Sequence, residues 1–311
     1  MPENQALVSI GLPVYNGEKF LRRALNSLTG QDYGNIELII SDNDSTDSTA
    51  QICGEFLAHD RRIRYYRCET NIGMAANFVR VLNLARGDYF MWAACDDWWD
   101  KRFVSCLLQA LMEHPDHGVA MCSVERVGED SVVQDVTRFD GEDDLTQLDY
   151  RDVYRRMVML TPNPKSWQTH LFIYGLFRTK LLRQLMKHRF PDCRAADRVF
   201  MSQVALATHF CSVPEVLHRR TIRTQQIGER YSNERIGKAW EERFRYTRLL
   251  WSMFWHVITS ASIPWGRKMS HVPAACAKLA WVRREALKRE LMPRFCMKRK
   301  SISIKPKAPT G

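Results

Sequence analysis

Residues 7–28 read LVSIGLPVYNGEKFLRRALNSL, and this stretch decides the fold class. Leu7 to Leu12 is apolar-rich and stops at Pro13, whose missing N–H predicts the end of a strand there. From Glu18 to Leu28 the period changes, because Phe20, Leu21, Ala24, Leu25 and Leu28 share one side of a helix. The unit is strand, loop, helix, and it repeats downstream. Ile36 to Ile40 is a second strand, followed by the polar loop Asp42, Asn43, Asp44, Ser45 and Thr46, which is able to cap a helix starting near Asp47. Ile63 to Tyr66, Met74 to Ala85 and Tyr89 to Ala93 then read as strand, helix and strand. Repeated βα units predict an α/β fold with a mostly parallel sheet flanked by helices on both faces. Ligands in such sheets collect at the carboxyl ends of the strands.

Length and composition bound the rest. A chain of 311 residues is long for one domain and short for two independent ones. We therefore expect a catalytic unit over residues 1–225 and a helical appendage over 226–311. With 45% hydrophobic and 26% charged residues the chain is neither disordered nor fibrous. Nine cysteines without a Cys-x-x-Cys pair argue against a disulfide framework or a zinc ribbon, and no secretory signal pattern precedes Leu7. The expectation is a cytoplasmic protein with free thiols, peripheral at the inner membrane face.

The net charge of +11 is unevenly placed. Up to Pro214 there are 24 Lys and Arg against 28 Asp and Glu, and from Glu215 onward 22 against 7. Trp240 to Arg289 mixes tryptophan with basic residues, which suits helices lying on an anionic membrane surface; a solvated basic helix pair packed on the domain is the plainer reading. Trp251 to Trp265 is too short and too polar to cross a bilayer.

Four strand ends supply one rim: Pro13, Tyr15 and Asn16; then Asp42 and Asp44; then Asn71, Gly73 and Asn77; then Asp96 and Asp97. Tyr15 is suited to stack on a nucleobase, and Asp42 to accept from an imino N–H. Each residue also has a structural reading, Tyr15 as a packed loop aromatic and Asp42 as a helix cap. Asp96 and Asp97 follow an almost wholly apolar strand, where two adjacent carboxylates repel unless a cation neutralises them. A hard divalent ion, Mn2+ or Mg2+, suits oxygen ligands shared with a diphosphate, whereas an acidic turn before Asp100 is the structural alternative.

The strings VSIGLPVYNGEKFLRRALNSL, IELIISDNDSTDST, NIGMAANFVRVLNLARGDYFMWAACDDWWD and ADRVFMSQVALATHF resemble, in order and spacing, the family 2 glycosyltransferases with the GT-A fold, over roughly Val8 to Arg220. The resemblance implies an inverting enzyme that moves a sugar from a nucleoside-diphosphate donor (UDP, GDP or dTDP) to a saccharide or lipid-linked hydroxyl acceptor of a bacterial surface polysaccharide. It lays Pro13 to Asn16 against the base, gives Asp42 the base edge, and makes Asp44, Asn71 and Asn77 part of the nucleotide-facing rim. Ala94 stands where the first acid of the usual Asp-x-Asp stands, so ribose contact falls to Asp96 and metal coordination mainly to Asp97.

The resemblance also places the general base at a helix start after a variable loop, the position of Asp197, with Asp192 the competing carboxylate. Arg219, Arg220 and Arg223 resemble the basic ending that sits near the diphosphate. Trp98 and Trp99 are candidates for stacking on sugars, one of them being core, and Trp167, His170 and the Thr161 to Ser166 loop are candidates for the acceptor. Clustered aspartates on an α/β sheet would also serve a metal-dependent nucleotidyltransferase or phosphohydrolase, so substrate class rests on the resemblance. A phosphate loop of the G-x-x-x-x-G-K-[ST] type and a His-rich two-metal cluster are both missing from the sequence. A nucleic-acid module would leave the acidic rim without purpose.

Overall fold

The computed structural model describes residues 6–141, 144–149, 152–154, 172–186, 196–223 and 245–269. Its first half is the expected βα repeat. The strands are β1 (Val8–Val14), β2 (Ile36–Asp42), β3 (Ile63–Arg67) and β4 (Tyr89–Trp92), and they alternate with α1 (Glu18–Thr29), α2 (Thr49–His59) and α3 (Met74–Leu84). β1 pairs in parallel with β2 on one side and β4 on the other, and β3 lies beyond β2. β1 runs past Pro13 because its pairing with β4 ends at Gly11, which leaves that side free of ladder bonds where proline is tolerated.

The second half turns the sheet from parallel to mixed. It contains β5 (Trp98–Trp99), α4 (Phe103–Glu113), β6 (His117–Gly128), β7 (Val133–Thr137), β8 (Leu176–Arg178), α5 (Thr179–Met186), α6 (Ala196–Ala207) and β9 (His209–Ile222). The order is β3-β2-β1-β4-β8-β6-β9-β5, with β7 beside β6. β8 runs antiparallel to both β4 and β6, while β6 and β9 are parallel. β9 is long enough to leave the main sheet and pair antiparallel with β5, through Trp98 opposite Arg219 and Trp99 opposite His218. That pairing brings the end of β9 to the segment carrying Asp96 and Asp97.

Strand periodicity divides the core between two faces. Val8, Ile10, Leu12, Leu38 and Ile40 pack against Leu21, Leu25 and Leu28 of α1 and Leu107 of α4. Ile39, Phe90 and Trp92 point the other way, into Val81 of α3, Phe177 of β8 and Phe200 and Val204 of α6. Gly11 is required between them, because a Cβ there would lie 2.7 Å from the Phe90 ring and 2.8 Å from Val81. A further helix, α7 (Arg245–Thr259), packs on α6, with Val257 buried in the same cluster as Phe200 and Val204. The boundary expected near residue 225, together with Asp192, Trp167, His170, the 161–166 loop, Trp240 and Trp281, lies outside the described residues.

Candidate active site

The loops after β1, β2 and β3 are sewn together by their own polar side chains. Asn16, in the left-handed region at φ 49°, donates its N–H to Ser45 Oγ (2.9 Å) and accepts from Thr46 N–H (2.9 Å). Thr49 Oγ1 and Asp47 Oδ2 accept from the N–H groups of Gly17 and Glu18, which open α1. Asn43 donates to Asn71 Oδ1 (2.8 Å) and accepts from Ile72 N–H (2.9 Å). Asp44, also left-handed at φ 65°, is paired with Arg67 at 3.2 Å. Asn and Asp are the non-glycine residues that tolerate this region, and these bonds hold both in it. Tyr15 stands on this rim with 37% of its surface exposed, beside half-buried Pro13.

Two residues expected at the nucleotide are turned inward. Asn77 is buried and clamps α3 to β2, accepting from Ser41 Oγ (2.6 Å) and donating to the Ser41 carbonyl (2.9 Å). One acceptor site of its amide oxygen and one of its two N–H donors are engaged by Ser41, so Asn77, expected on the nucleotide-facing rim, stands inside the contact between α3 and β2. Asp42 is 0% exposed; its Oδ1 accepts from Ser45 N–H (2.9 Å) and its Oδ2 from the Tyr65 hydroxyl (2.7 Å). Asp42 is therefore an enclosed carboxylate, and it shapes the loop that carries Asn16's partner, Ser45.

The two adjacent acids have divided roles. Asp97 is 2% exposed, with Oδ2 3.0 Å from His218 Nε2 and Oδ1 accepting from Thr221 N–H at 3.0 Å. Both oxygens thus face β9, one toward a histidine ring nitrogen and one toward a backbone N–H. His218 is itself buried and stacks on Trp99 with centroids 5.3 Å apart and planes 3° from parallel. Trp99 is thus the core tryptophan of the pair, whereas Trp98 carries the Arg23 guanidinium 3.8 Å over its ring.

Asp96 is the carboxylate left facing the rim. Burial and the neighbouring Asp97 charge raise its pKa, against the opposing pull of Arg223 and Arg220. Arg223 Nε lies 2.8 Å from its Oδ2. Arg23 reaches the Asp96 carbonyl (2.9 Å) and Thr221 Oγ1 (2.9 Å), and Thr221 Oγ1 closes on the same carbonyl. Burial lowers the Arg23 pKa against the raising fields of Asp97 and Asp96. Arg23 of α1, Arg220 of β9 and Arg223 just beyond β9 thus gather at the Asp96 segment. Of the three arginines expected near a diphosphate, Arg219 pairs with Glu125 at 2.8 Å across β6 and β9, whereas Arg223 pairs with Asp96 and the Arg220 charge acts on it.

Asp197 opens α6 in its first turn, as expected. Burial raises its pKa, opposed by Arg198 N–H, which it accepts at 2.9 Å, and by the charges of Arg198 and Arg220. Arg220 therefore feels both Asp96 and Asp197, and its guanidinium lies 6.0 Å from the Tyr174 ring. Tyr174 is half-buried, and desolvation pushes its hydroxyl pKa up. His218, Arg23, Thr221 and Tyr174 were invisible as site residues in the sequence, since none stands in a strand-end motif. Only the pairing of β9 with β5 assembles them.

Among the described residues no group of three or more His, Cys, Asp or Glu is placed to hold a metal. The donor set fits a hard divalent ion that arrives with its own phosphate oxygens, because Asp96 offers a desolvated carboxylate and Mg2+ commonly uses one or two protein carboxylates beside a phosphate. A shallow apolar groove on the outer side of α4, lined by Tyr33, Leu108 and Met112, shares no residue with this rim.

Comparison with solved structures places the architecture. S. aureus TarS bound to UDP-GlcNAc superposes with a TM-score of 0.60 at 21% identity, covering 83% of this chain and 68% of that one. The mannosyltransferase PcManGT from Pyrobaculum calidifontis, bound to GDP-Man and Mn2+, gives 0.50 at 18%, covering 92% and 82%. The fold is that of the GT-A glycosyltransferases. Among curated relatives, glycosyltransferase GlyA of Streptococcus pneumoniae is 36% identical over 107 residues, 34% of this chain and 15% of GlyA. The putative teichuronic acid biosynthesis glycosyltransferase TuaG of Bacillus subtilis is 31% identical over 134 residues, 43% of this chain and 51% of TuaG. The matches thus span between 15% and 51% of these relatives' lengths. The model of glycosyl transferase family 2 matches residues 9–202, and the chain belongs to that family.

Proposed function

We propose that this protein is an inverting glycosyltransferase that takes a sugar from a nucleoside diphosphate and places it on a hydroxyl of a saccharide or lipid-linked acceptor. The observation that carries the reading is the pairing of Arg223 with Asp96 at 2.8 Å, with the Arg220 charge acting on both Asp96 and Asp197. Donor and acceptor chemistry need such neighbours, a cationic seat for the diphosphate and a carboxylate across from it. The nucleotides named with the solved neighbours, UDP and GDP, support a donor of this class.

In this reading Tyr15 stacks on the base, while Pro13 and Asn16 set its angle. Asp96 faces the ribose and the diphosphate, and Arg220 and Arg223 neutralise phosphate oxygens. Asp96 would hold a divalent ion, which when bound adds positive charge beside the leaving diphosphate. Asp197 accepts the proton of the acceptor hydroxyl. The acceptor oxygen forms its bond to the anomeric carbon on the face opposite the diphosphate, and the carbon–oxygen bond to the diphosphate breaks with its electron pair. The raised pKa of Asp197 suits it to hold that proton. Incubation with UDP-, GDP- and dTDP-sugars, with and without Mn2+ and with mixed oligosaccharide acceptors, tests the reading through nucleotide release. Release with one donor class, abolished in Asp197→Asn, is expected; nucleoside monophosphate or pyrophosphate as product would indicate nucleotidyl transfer or phosphohydrolysis instead.

A further inference from the structure

α7 has two unlike faces. Met253 and Val257 are buried, as is Ile263 in the turn that follows, and Val257 and Ile263 belong to the cluster built on Phe200 and Val204 of α6. On the other side Trp251 and Trp255, one turn apart, are 58% and 56% exposed, and Trp265 beyond the turn is 66% exposed. Met269 extends the patch. The platform under it is tied down: Arg267 donates to the Leu206 carbonyl at the end of α6 (3.2 Å), and Lys268 Nζ to the Ile258 carbonyl (2.9 Å). Two indoles held outward on a fixed helix and a third beyond the turn that follows it are an unusual load for a water-facing surface, since aromatic side chains in water forgo the burial that stabilises them.

We infer that this face of α7 and its following turn is a seat for an anionic lipid surface. Indole sits best at the boundary of headgroup and acyl chain, where its ring is dehydrated and its N–H stays wet. The opposite face of the helix is already covered by α6, so the helix lies on the surface and does not enter it. It does not cross: no described helix is long and apolar enough, and 15 residues span about 22 Å against a hydrocarbon core of about 30 Å. The charge agrees with the choice of partner. Residues 270–311, which follow the patch directly, contain 11 Lys and Arg against 2 Asp and Glu, and such basic excess beside an aromatic anchor draws the chain to anionic headgroups. The inference is independent of the transferase reading.

Co-sedimentation of the full chain with vesicles of phosphatidylcholine, alone or mixed with phosphatidylglycerol, tests it, beside the triple variant Trp251→Ala, Trp255→Ala, Trp265→Ala. The native chain should sediment with the mixed vesicles, with a blue shift of tryptophan emission. The variant should keep its melting temperature and nucleotide binding while vesicle affinity falls by about tenfold or more, the size expected for three interfacial indoles. Undiminished vesicle binding by the variant would overturn the inference in favour of charge alone, and binding to single-stranded RNA or DNA without vesicle binding would assign the patch to base stacking.

Discussion

His218 Nε2 lies 3.0 Å from Asp97 Oδ2, and both side chains are all but sealed from solvent. With Thr221 N–H on the other oxygen, this pair fastens the loop after β4 to the end of strand β9, and so fixes the distance between Asp96 and the arginines gathered near it. A buried charged group that loses its partner costs about 3–5 kcal/mol, and a lost neutral hydrogen bond about 1–3. His218→Ala should therefore lower unfolding free energy by at least about 2 kcal/mol in urea denaturation, without a change of slope. An unchanged midpoint would show that the pair holds nothing.

Asp96→Asn should behave in the opposite way. The fold raises the Asp96 pKa, so its ionised form is the disfavoured one, and the stability it withholds returns as pH falls through that raised value. Removing the charge should leave the melting temperature equal or higher at neutral pH while abolishing Mn2+-stimulated nucleotide binding. Calorimetric melts paired with a binding assay check both halves.

Why the site was only partly legible follows from where its contacts come from. Residues 7–28 carry the βα period in themselves, because strand and helix spacing are local properties, and the rim positions of Tyr15 and Asn16 follow from it. Burial direction at a strand end is not local. Asp42 and Asn77 read as rim residues from their places after β2 and at the start of α3, yet Tyr65 and Ser41 claim them. Likewise, nothing in the segment 94–100 distinguishes Asp96 from Asp97; the choice is made by His218 and Thr221, more than a hundred residues downstream and brought there by the β5–β9 pairing. The antiparallel insertion of β8 was equally hidden, since three residues carry no period of their own.

Asn77→Ala should act on stability and not on ligand. Its amide makes two bonds to Ser41 in a buried site, and the loss leaves Ser41 unsatisfied at about 1–3 kcal/mol. Nucleotide affinity should stay within a factor of about two, equivalent to less than 0.5 kcal/mol. A selective loss of affinity with an unchanged melt would return Asn77 to the binding surface.

Asp197→Asn keeps shape and removes basicity. Turnover should fall by about 10²–10⁴-fold, the usual size of a general-base contribution, with donor affinity nearly unchanged. Because burial raises the Asp197 pKa, the acid limb of the native rate profile should lie above the ordinary carboxylate range of about 4, with activity rising with pH as the base ionises. The residual rate of the variant should lack that limb. A product of retained anomeric configuration would remove the single-displacement role altogether.

The most direct measurement is calorimetric titration of the native chain and of Asp96→Asn with UDP, GDP and dTDP, with and without Mn2+. One of these nucleotides should bind the native chain, Mn2+ should tighten it by about tenfold or more, and Asp96→Asn should lose the metal effect while keeping its fold. Binding that is indifferent both to Mn2+ and to Asp96, or no binding of any of the three, would contradict this reading of the site.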